Sequence, residues 1–293
     1  MVALRLMAWI AVTFGRPIAR SVLHPITLYF LLCAPAARRR SLRYLGRALG
    51  RRARWSDVYR HIHTFSCTVL DRVYFARGEL RLFELEAHGV DALDATLAEG
   101  RGALLLGAHV GSFEALHGVG ANRPERRVAM VMYPDNARMI QSALQAIAPG
   151  FHVDIIPLGR SSSTLAIRDW LDGGGLAGIL GDRVLRTQGR RGGGIELPFL
   201  GRSARFSDAP LRLAMLLRRR VFFMVGLYRG GRRYDLRFEA MADFTQPSDN
   251  AAQRELGLRA ALQSYVARLE ALCREQPYNW FNFHDFWAED AAR

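Results

Sequence analysis

The sequence predicts an α/β protein: a central mixed, mainly parallel sheet flanked by helices, preceded by N-terminal membrane-associated helices. Three observations carry this. Short apolar runs alternate with amphipathic stretches through the middle of the chain, the pattern of strands covered by helices. The first 40 residues hold two apolar segments followed by arginines. Of the 293 residues, 50% are hydrophobic and 23% charged, which excludes disorder as the main state and provides for a sizeable core.

The elements follow in order. Residues 2–14 are apolar apart from Arg5 and Thr13. As a helix they reach about 20 Å, short of a bilayer core of roughly 30 Å. A second short apolar run, 26–37, follows His24 and Pro25 and ends at Arg38, Arg39 and Arg40. We expect two short interfacial helices with Arg16, Arg20 and Arg38 to Arg40 against lipid phosphates. The alternative is a helical pair packed on the protein's own core. A cleaved signal peptide is a further reading with little support, since no strong positive cluster opens the chain and no clear small-x-small site precedes Arg16. We therefore divide the chain into an N-terminal membrane-associated segment, 1–50, and an α/β domain, 51–293.

Residues 56–75 read as a helix, with Val58, Ile62, Phe65, Val69 and Val73 at three- and four-residue spacing. Strands are expected at 103–108, 128–132, 153–156, 176–180 and 221–227. Helices are expected at 91–99, 136–148, 162–171 and 208–217. Gly230-Gly231 turns into an antiparallel strand at 234–238, and a last helix covers 251–274. The Gly- and Arg-rich stretch 183–194 reads as a mobile basic loop.

Charge and cysteines narrow the function classes. The formal net charge is +14, and all 41 basic residues are arginine. Arginine grips phosphate and carboxylate bidentately. The charge fits nucleic acid, an anionic membrane surface, or an acidic protein or phosphorylated substrate. Cys33, Cys67 and Cys273 are too far apart for a disulfide framework or a metal knuckle.

His109-Val-Gly-Ser-Phe-Glu114 is the main chemical candidate. His109 directly follows an apolar strand, at the sheet end where open α/β folds place ligands. Residues five apart face different sides of a continuous helix, so the pair needs a turn, which Gly111 can supply. A carboxylate on one ring nitrogen fixes the tautomer and makes the other a general base. With eight histidines, this spacing arises roughly once by chance. His284 and Glu289 share it, without a preceding strand, so context selects His109. A strand-end histidine satisfied by its neighbours is the alternative.

Asp182-Arg183 and Arg160 each follow an apolar strand. The two arginines converge near His109 in this reading, to hold a phosphate or a developing oxyanion. Solvated loop arginines are the alternative. Arg190, Arg191, Arg202 and Arg205 read as partner-facing charge. Gly173-x-Gly175-x-x-Gly178 precedes a strand instead of following one, so it is a helix-to-strand turn, not a dinucleotide fingerprint. No G-x-S-x-G elbow or HExxH motif occurs, and Ser161 to Ser163 read as a helix cap. Residues 276–287 are dense in aromatics and hold two of the five tryptophans. They form either a C-terminal core or an edge that touches lipid.

These motifs, in this order, resemble the bacterial lipid A biosynthesis acyltransferases of the lysophospholipid acyltransferase superfamily. His109 and Glu114 match the His-x4-Asp/Glu motif. Residues 176–183 resemble a strand ending in Asp-Arg. Leu197-Pro-Phe-Leu-Gly201 resembles a Phe-Phe-Gly block, with Leu200 in place of the second Phe. Pro277 to Trp280 resembles a closing Pro-x-x-Trp signature. The tail Tyr278-Asn-Trp-Phe-Asn-Phe is closer to acyltransferases that accompany aryl polyene lipid synthesis, which leaves the acceptor open.

The resemblance implies a glycerol-3-phosphate acyltransferase-like fold. It implies acyl transfer from an acyl carrier protein thioester, or from coenzyme A, to a hydroxyl of a membrane lipid, without metal or other cofactor. His109 would be the base and Glu114 its orienting carboxylate. Donors near Gly111 and Arg183 would hold the oxyanion, with Asp182 and Arg160 also toward substrate. The partners would be the carrier protein, the lipid acceptor and an anionic membrane surface, with no nucleic acid. The place would be the cytoplasmic face of a Gram-negative inner membrane. A thioesterase on the same fold and a non-enzymatic anionic-surface binder are the competing readings.

Overall fold

The computed structural model describes residues 2–120, 126–147, 153–160, 162–184, 194–246 and 248–287. The chain opens with helix α1 (Val2–Cys33), which is kinked at Gly15, where φ is +78°. Helix α2 (Pro35–Ala48) follows directly, with proline in its first turn, where the missing N–H costs nothing. The expected run 26–37 is thus divided at Ala34 between two helices. Helix α3 (Trp55–Ala76) matches the expected amphipathic helix within a residue at each end.

The alternation that follows is βα-like: β1 (Glu84–His88), α4 (Val90–Ala98), β2 (Leu104–Gly107), α5 (Phe113–Gly120), β3 (Val128–Met132), α6 (Pro134–Ile147), β4 (Asp154–Pro157), α7 (Ser163–Asp172) and β5 (Leu176–Leu180). A hairpin of β6 (Ile195–Phe199) and β7 (Arg202–Phe206) precedes α8 (Ala209–Leu216). The long pair β8 (Arg220–Gly230) and β9 (Arg233–Asp243) leads to α9 (Ala251–Glu275).

Seven strands form one sheet in the order β1-β9-β8-β2-β5-β3-β4. Every pairing is parallel except β8 with β9. Strand β1, its sequence without a continuous apolar run, was not among the expected strands. It pairs along β9 at the sheet edge and is mostly exposed. The 173–178 stretch is the expected helix-to-strand turn, with Gly174 at φ +77° between α7 and β5.

The middle of the sheet is covered on both faces, which is why β2 and β8 read as continuous apolar runs. On one face Leu104, Leu106, Ile179, Phe223 and Val225 pack with Leu262, Tyr265 and Leu269 of α9 and with Tyr44 and Leu45 of α2. On the other, Leu105, Phe222 and Met224 pack with Leu70, Val73 and Tyr74 of α3 and Ala11 and Ala19 of α1. Residues of the 1–50 segment therefore belong to both cores.

Of the arginines expected at lipid phosphates, Arg39 is exposed, while Arg16, Arg20, Arg38 and Arg40 make contacts within the protein. Arg16 is bidentate on buried Asp71 of α3. Arg20 bonds the Tyr228 hydroxyl and the Gly231 carbonyl. Arg38 donates to the carbonyls of Leu31 and Leu32 and lies over the Trp55 ring, and Arg40 reaches the Phe283 carbonyl. These contacts tie α1 and α2 to the domain. Outside them, Leu6, Trp9, Phe14, Ile18, Tyr29 and Leu32 of α1 stay exposed.

Candidate active site

The loops after β2 and β5 lie side by side, because those strands are neighbours. The β2 loop carries His109 and the β5 loop carries Asp182. The His109 Nδ1 atom is 2.8 Å from Asp182 Oδ1. The backbone N–H of His109 donates to Asp182 Oδ2 at 3.1 Å, and the Trp280 indole N–H donates to the same oxygen at 2.9 Å. Three donors thus hold one carboxylate. Ionised Asp182 accepts at Nδ1, so that nitrogen carries the proton and Nε2 offers its lone pair.

The electrostatics fit this assignment. Burial pushes the Asp182 carboxyl up, but the His109 charge and hydrogen bond outweigh it, with further help from Trp280, and hold it well below the usual carboxylate range. The Asp182 side chain is 1% exposed, while that of His109 is 31% exposed. A buried anion therefore orients a ring whose outer edge meets solvent.

Two glycines let the His109 loop cross β8. Gly111 has φ +65°, and a Cβ there would lie 1.9 Å from the Gly226 carbonyl oxygen. On Gly226, a Cβ would meet the Ser112 carbonyl oxygen at 2.4 Å. Ser112 then caps α5 by accepting the Ala115 N–H.

Glu114 does fall in the first turn of α5, but it does not reach His109 Nδ1. Ser112 donates to Glu114 Oε2 at 3.1 Å, and Arg72 of α3 lies 3.1 Å from Oε1. The turn at Gly111 swings the carboxylate toward α3, and Asp182 takes the orienting position that the spacing assigned to Glu114. Gly111 is likewise not an open oxyanion donor, because its N–H donates to the Asn279 carbonyl at 2.8 Å.

Asp182 and Arg160 do not share one place beside His109. Both oxygens of Asp182 are held by protein donors, the His109 ring among them. Arg160 follows β4, three strand positions from β2, or about 14 Å, and its side chain is exposed. Arg183 is next to the dyad. Its Nε is buried without a hydrogen-bond partner among the described residues, and burial lowers its pKa against the pull of Asp182. His284 also belongs to this neighbourhood. Burial, then the charge of Arg183, pushes its pKa down to about 4.

Several other expectations are resolved. Arg205 pairs with Glu196 across the hairpin at 2.9 Å and so is not simply partner-facing. Arg190, Arg191, Glu289 and Ser161 lie outside the described residues. Ser162 precedes α7 without a side-chain cap bond, while Ser163 donates to the Pro157 carbonyl and accepts the Arg160 N–H. The aromatic tail is core, with Trp280, Phe281 and Trp287 buried. Sequence reasoning missed the bond from Trp280 to Asp182, for which the closing signature was the only cue. Among the described residues no cluster of His, Cys, Asp and Glu could hold a metal ion.

A family model described as bacterial lipid A biosynthesis acyltransferase matches residues 6–289. The match runs through nearly the whole chain, and the chain belongs to this family. No curated protein matches it.

Proposed function

We propose that this acyltransferase moves a fatty acyl group from an acyl carrier protein thioester to a hydroxyl of a membrane lipid, with His109 as general base. The acceptor is a lipid A-like glycolipid or an aryl polyene lipid precursor. The observation that carries the reading is the buried Asp182 on Nδ1 of a His109 whose outer edge is accessible. His109 Nε2 takes the hydroxyl proton as the alkoxide oxygen attacks the thioester carbonyl. The tetrahedral intermediate collapses with cleavage of the C–S bond, and the imidazolium returns its proton to the leaving thiolate. Asp182 keeps the tautomer and stabilises the transient imidazolium. Arg183, which follows Asp182 in the chain and feels its charge, is suited to the oxyanion. Glu114, held by Arg72 and Ser112, fixes the turn that presents His109.

Helix α1 supports a lipid surface as the place of reaction. Residues Leu6–Cys33 are long and apolar enough to cross a membrane by length and composition. Yet Arg16 and Arg20 bind that helix to α3 and to the β8–β9 turn. A helix anchored along its side lies in the interface, where each half-exposed apolar side chain gains about 1 kcal/mol on insertion. The acidic carrier protein and an anionic cytoplasmic leaflet of a Gram-negative inner membrane both suit the +14 charge.

The test uses purified protein in liposomes, labelled acyl carrier protein thioesters and a Gram-negative lipid extract, with mass spectrometry of the products. A labelled lipid ester that is lost in His109→Ala is expected. Label released only as free fatty acid would make the protein a thioesterase. Equal background from folded native and variant proteins would remove His109 as the base.

A further inference from the structure

The dyad is held from a direction that the acyl-transfer chemistry does not itself require. Residues 279–281 run antiparallel to the His109 loop. The Gly111 N–H donates to the Asn279 carbonyl, the Phe281 N–H donates to the His109 carbonyl, and Val110 bridges Trp280. The Asn279 side chain clamps this segment to β8 by accepting the Tyr228 N–H at 2.8 Å and donating to the Tyr228 carbonyl at 3.1 Å.

Trp280 itself is fixed at both polar ends. Its indole N–H donates to Asp182. Its carbonyl lies 2.8 Å from Nε2 of His61 on α3, and Nδ1 of that ring lies 2.7 Å from the Ser41 hydroxyl of α2. A carbonyl only accepts, so His61 carries its proton on Nε2 and accepts the Ser41 hydroxyl at Nδ1. The indole ring is wedged edge-to-face among Tyr44, Phe199 and Phe286.

We propose that Trp280 is a positioning residue for acyl transfer: its indole N–H sets the plane of the Asp182 carboxylate against His109, and the Ser41–His61 pair locks Trp280 in that place. The proposal rests on the acyl-transfer reading of His109 and Asp182. An indole N–H is a donor only, so it holds ionised Asp182 without competing for the proton on His109. Trp280, His61 and Ser41 are therefore working parts of the site as well as core.

The test compares native protein, Trp280→Phe and Phe286→Leu in liposomes. Trp280→Phe keeps a ring in the wedge and removes the N–H. Phe286→Leu loosens the same wedge and keeps the N–H. We measure kcat and KM across pH, and the downfield Nδ1 proton of His109 by NMR on 15N-histidine-labelled protein. For Trp280→Phe the expected result is a kcat lower by about tenfold to a hundredfold, the loss that follows removal of a hydrogen bond to a charged group. KM stays unchanged, and the Nδ1 proton resonance moves. The acid limb of kcat/KM shifts upward, because a carboxylate with one donor fewer holds the imidazolium proton more tightly. Phe286→Leu keeps the native pH profile and the native Nδ1 resonance, because the indole N–H stays on Asp182, and its loss of kcat is the smaller of the two.

A Trp280→Phe enzyme with native kcat and a native Nδ1 resonance overturns the proposal. So does a kcat loss of equal size in both variants with the resonance unmoved, because packing then explains it. A native protein that transfers no acyl group overturns the acyl-transfer reading instead. The Nδ1 resonance then still decides whether Trp280 positions the dyad.

Discussion

Two buried aspartates in this molecule have almost the same surroundings and opposite uses. Asp71 on α3 is 0% exposed and accepts three hydrogen bonds, two from Arg16 and one from the Tyr234 hydroxyl at 2.8 Å. Asp182 after β5 is 1% exposed and also has three donors. The partner makes the difference. A guanidinium does not give up its proton, so Asp71 with Arg16 is a fixed tie between α1, α3 and β9. An imidazole can change protonation, and the outer edge of His109 meets solvent, so in the proposed reaction the same carboxylate is half of a catalytic dyad.

The largest expected effect breaks the second half of this comparison. Asp182→Asn leaves volume and burial in place but removes the charge, which no longer fixes the tautomer. Turnover falls by about 10^3- to 10^4-fold, measured as labelled ester formed per minute. Asp71→Asn should do the reverse. It leaves Arg16 charged and buried, costing about 3–5 kcal/mol of stability in denaturant titration. Activity per folded molecule stays near native under conditions where the chain is folded.

Glu114→Gln sharpens the comparison. It weakens the pair with Arg72 and loosens the Gly111–Phe113 turn, lowering kcat by about tenfold to a hundredfold, a cost in the range of one hydrogen bond to a charged group. The His109 Nδ1 proton resonance should not move, in contrast to Asp182→Asn.

The smallest effect concerns a histidine buried as neutral. Burial pushes the His61 pKa down to about 4, and its bond to the Trp280 carbonyl only partly offsets this. The unfolded chain binds this proton near pH 6.5 and the folded chain does not until about pH 4. Stability is therefore complete above about 6.5 and falls as pH drops toward 4, by at most about 3 kcal/mol. His61→Gln can donate to Trp280 and accept from Ser41, so it should flatten that slope in thermal melts between pH 7 and 4. A residual slope remains, because His284 is depressed in the same direction.

The parts legible in the sequence are those with a local cause. The amphipathic spacing of Val58, Ile62, Val69 and Val73 marked α3, and the apolar runs at 103–108 and 176–180 marked the two strands that carry the dyad. His109 was legible because it follows such a run, and Gly111 because a turn was needed there. The rest depends on strand order. That β5 lies beside β2 brings Asp182 to His109, and that β3 intervenes keeps Arg160 away. Neither is written in local spacing, so His-x4-Glu pointed to the wrong carboxylate for Nδ1. Arg16 failed in the same way: its partner Asp71 is 55 residues further along the chain, and only the packing of α1 on α3 makes it an internal tie.

The most direct test of the central claim is acyl transfer by native protein, Asp182→Asn and Glu114→Gln side by side, each shown to be folded by its thermal melt. Labelled acyl carrier protein thioester is the donor and lipid in liposomes the acceptor. The account predicts a labelled lipid ester from the native chain, a loss of about a thousandfold or more in Asp182→Asn, and a clearly smaller loss in Glu114→Gln. Native turnover in Asp182→Asn, with Glu114→Gln inactive, would contradict it and return the orienting role to Glu114.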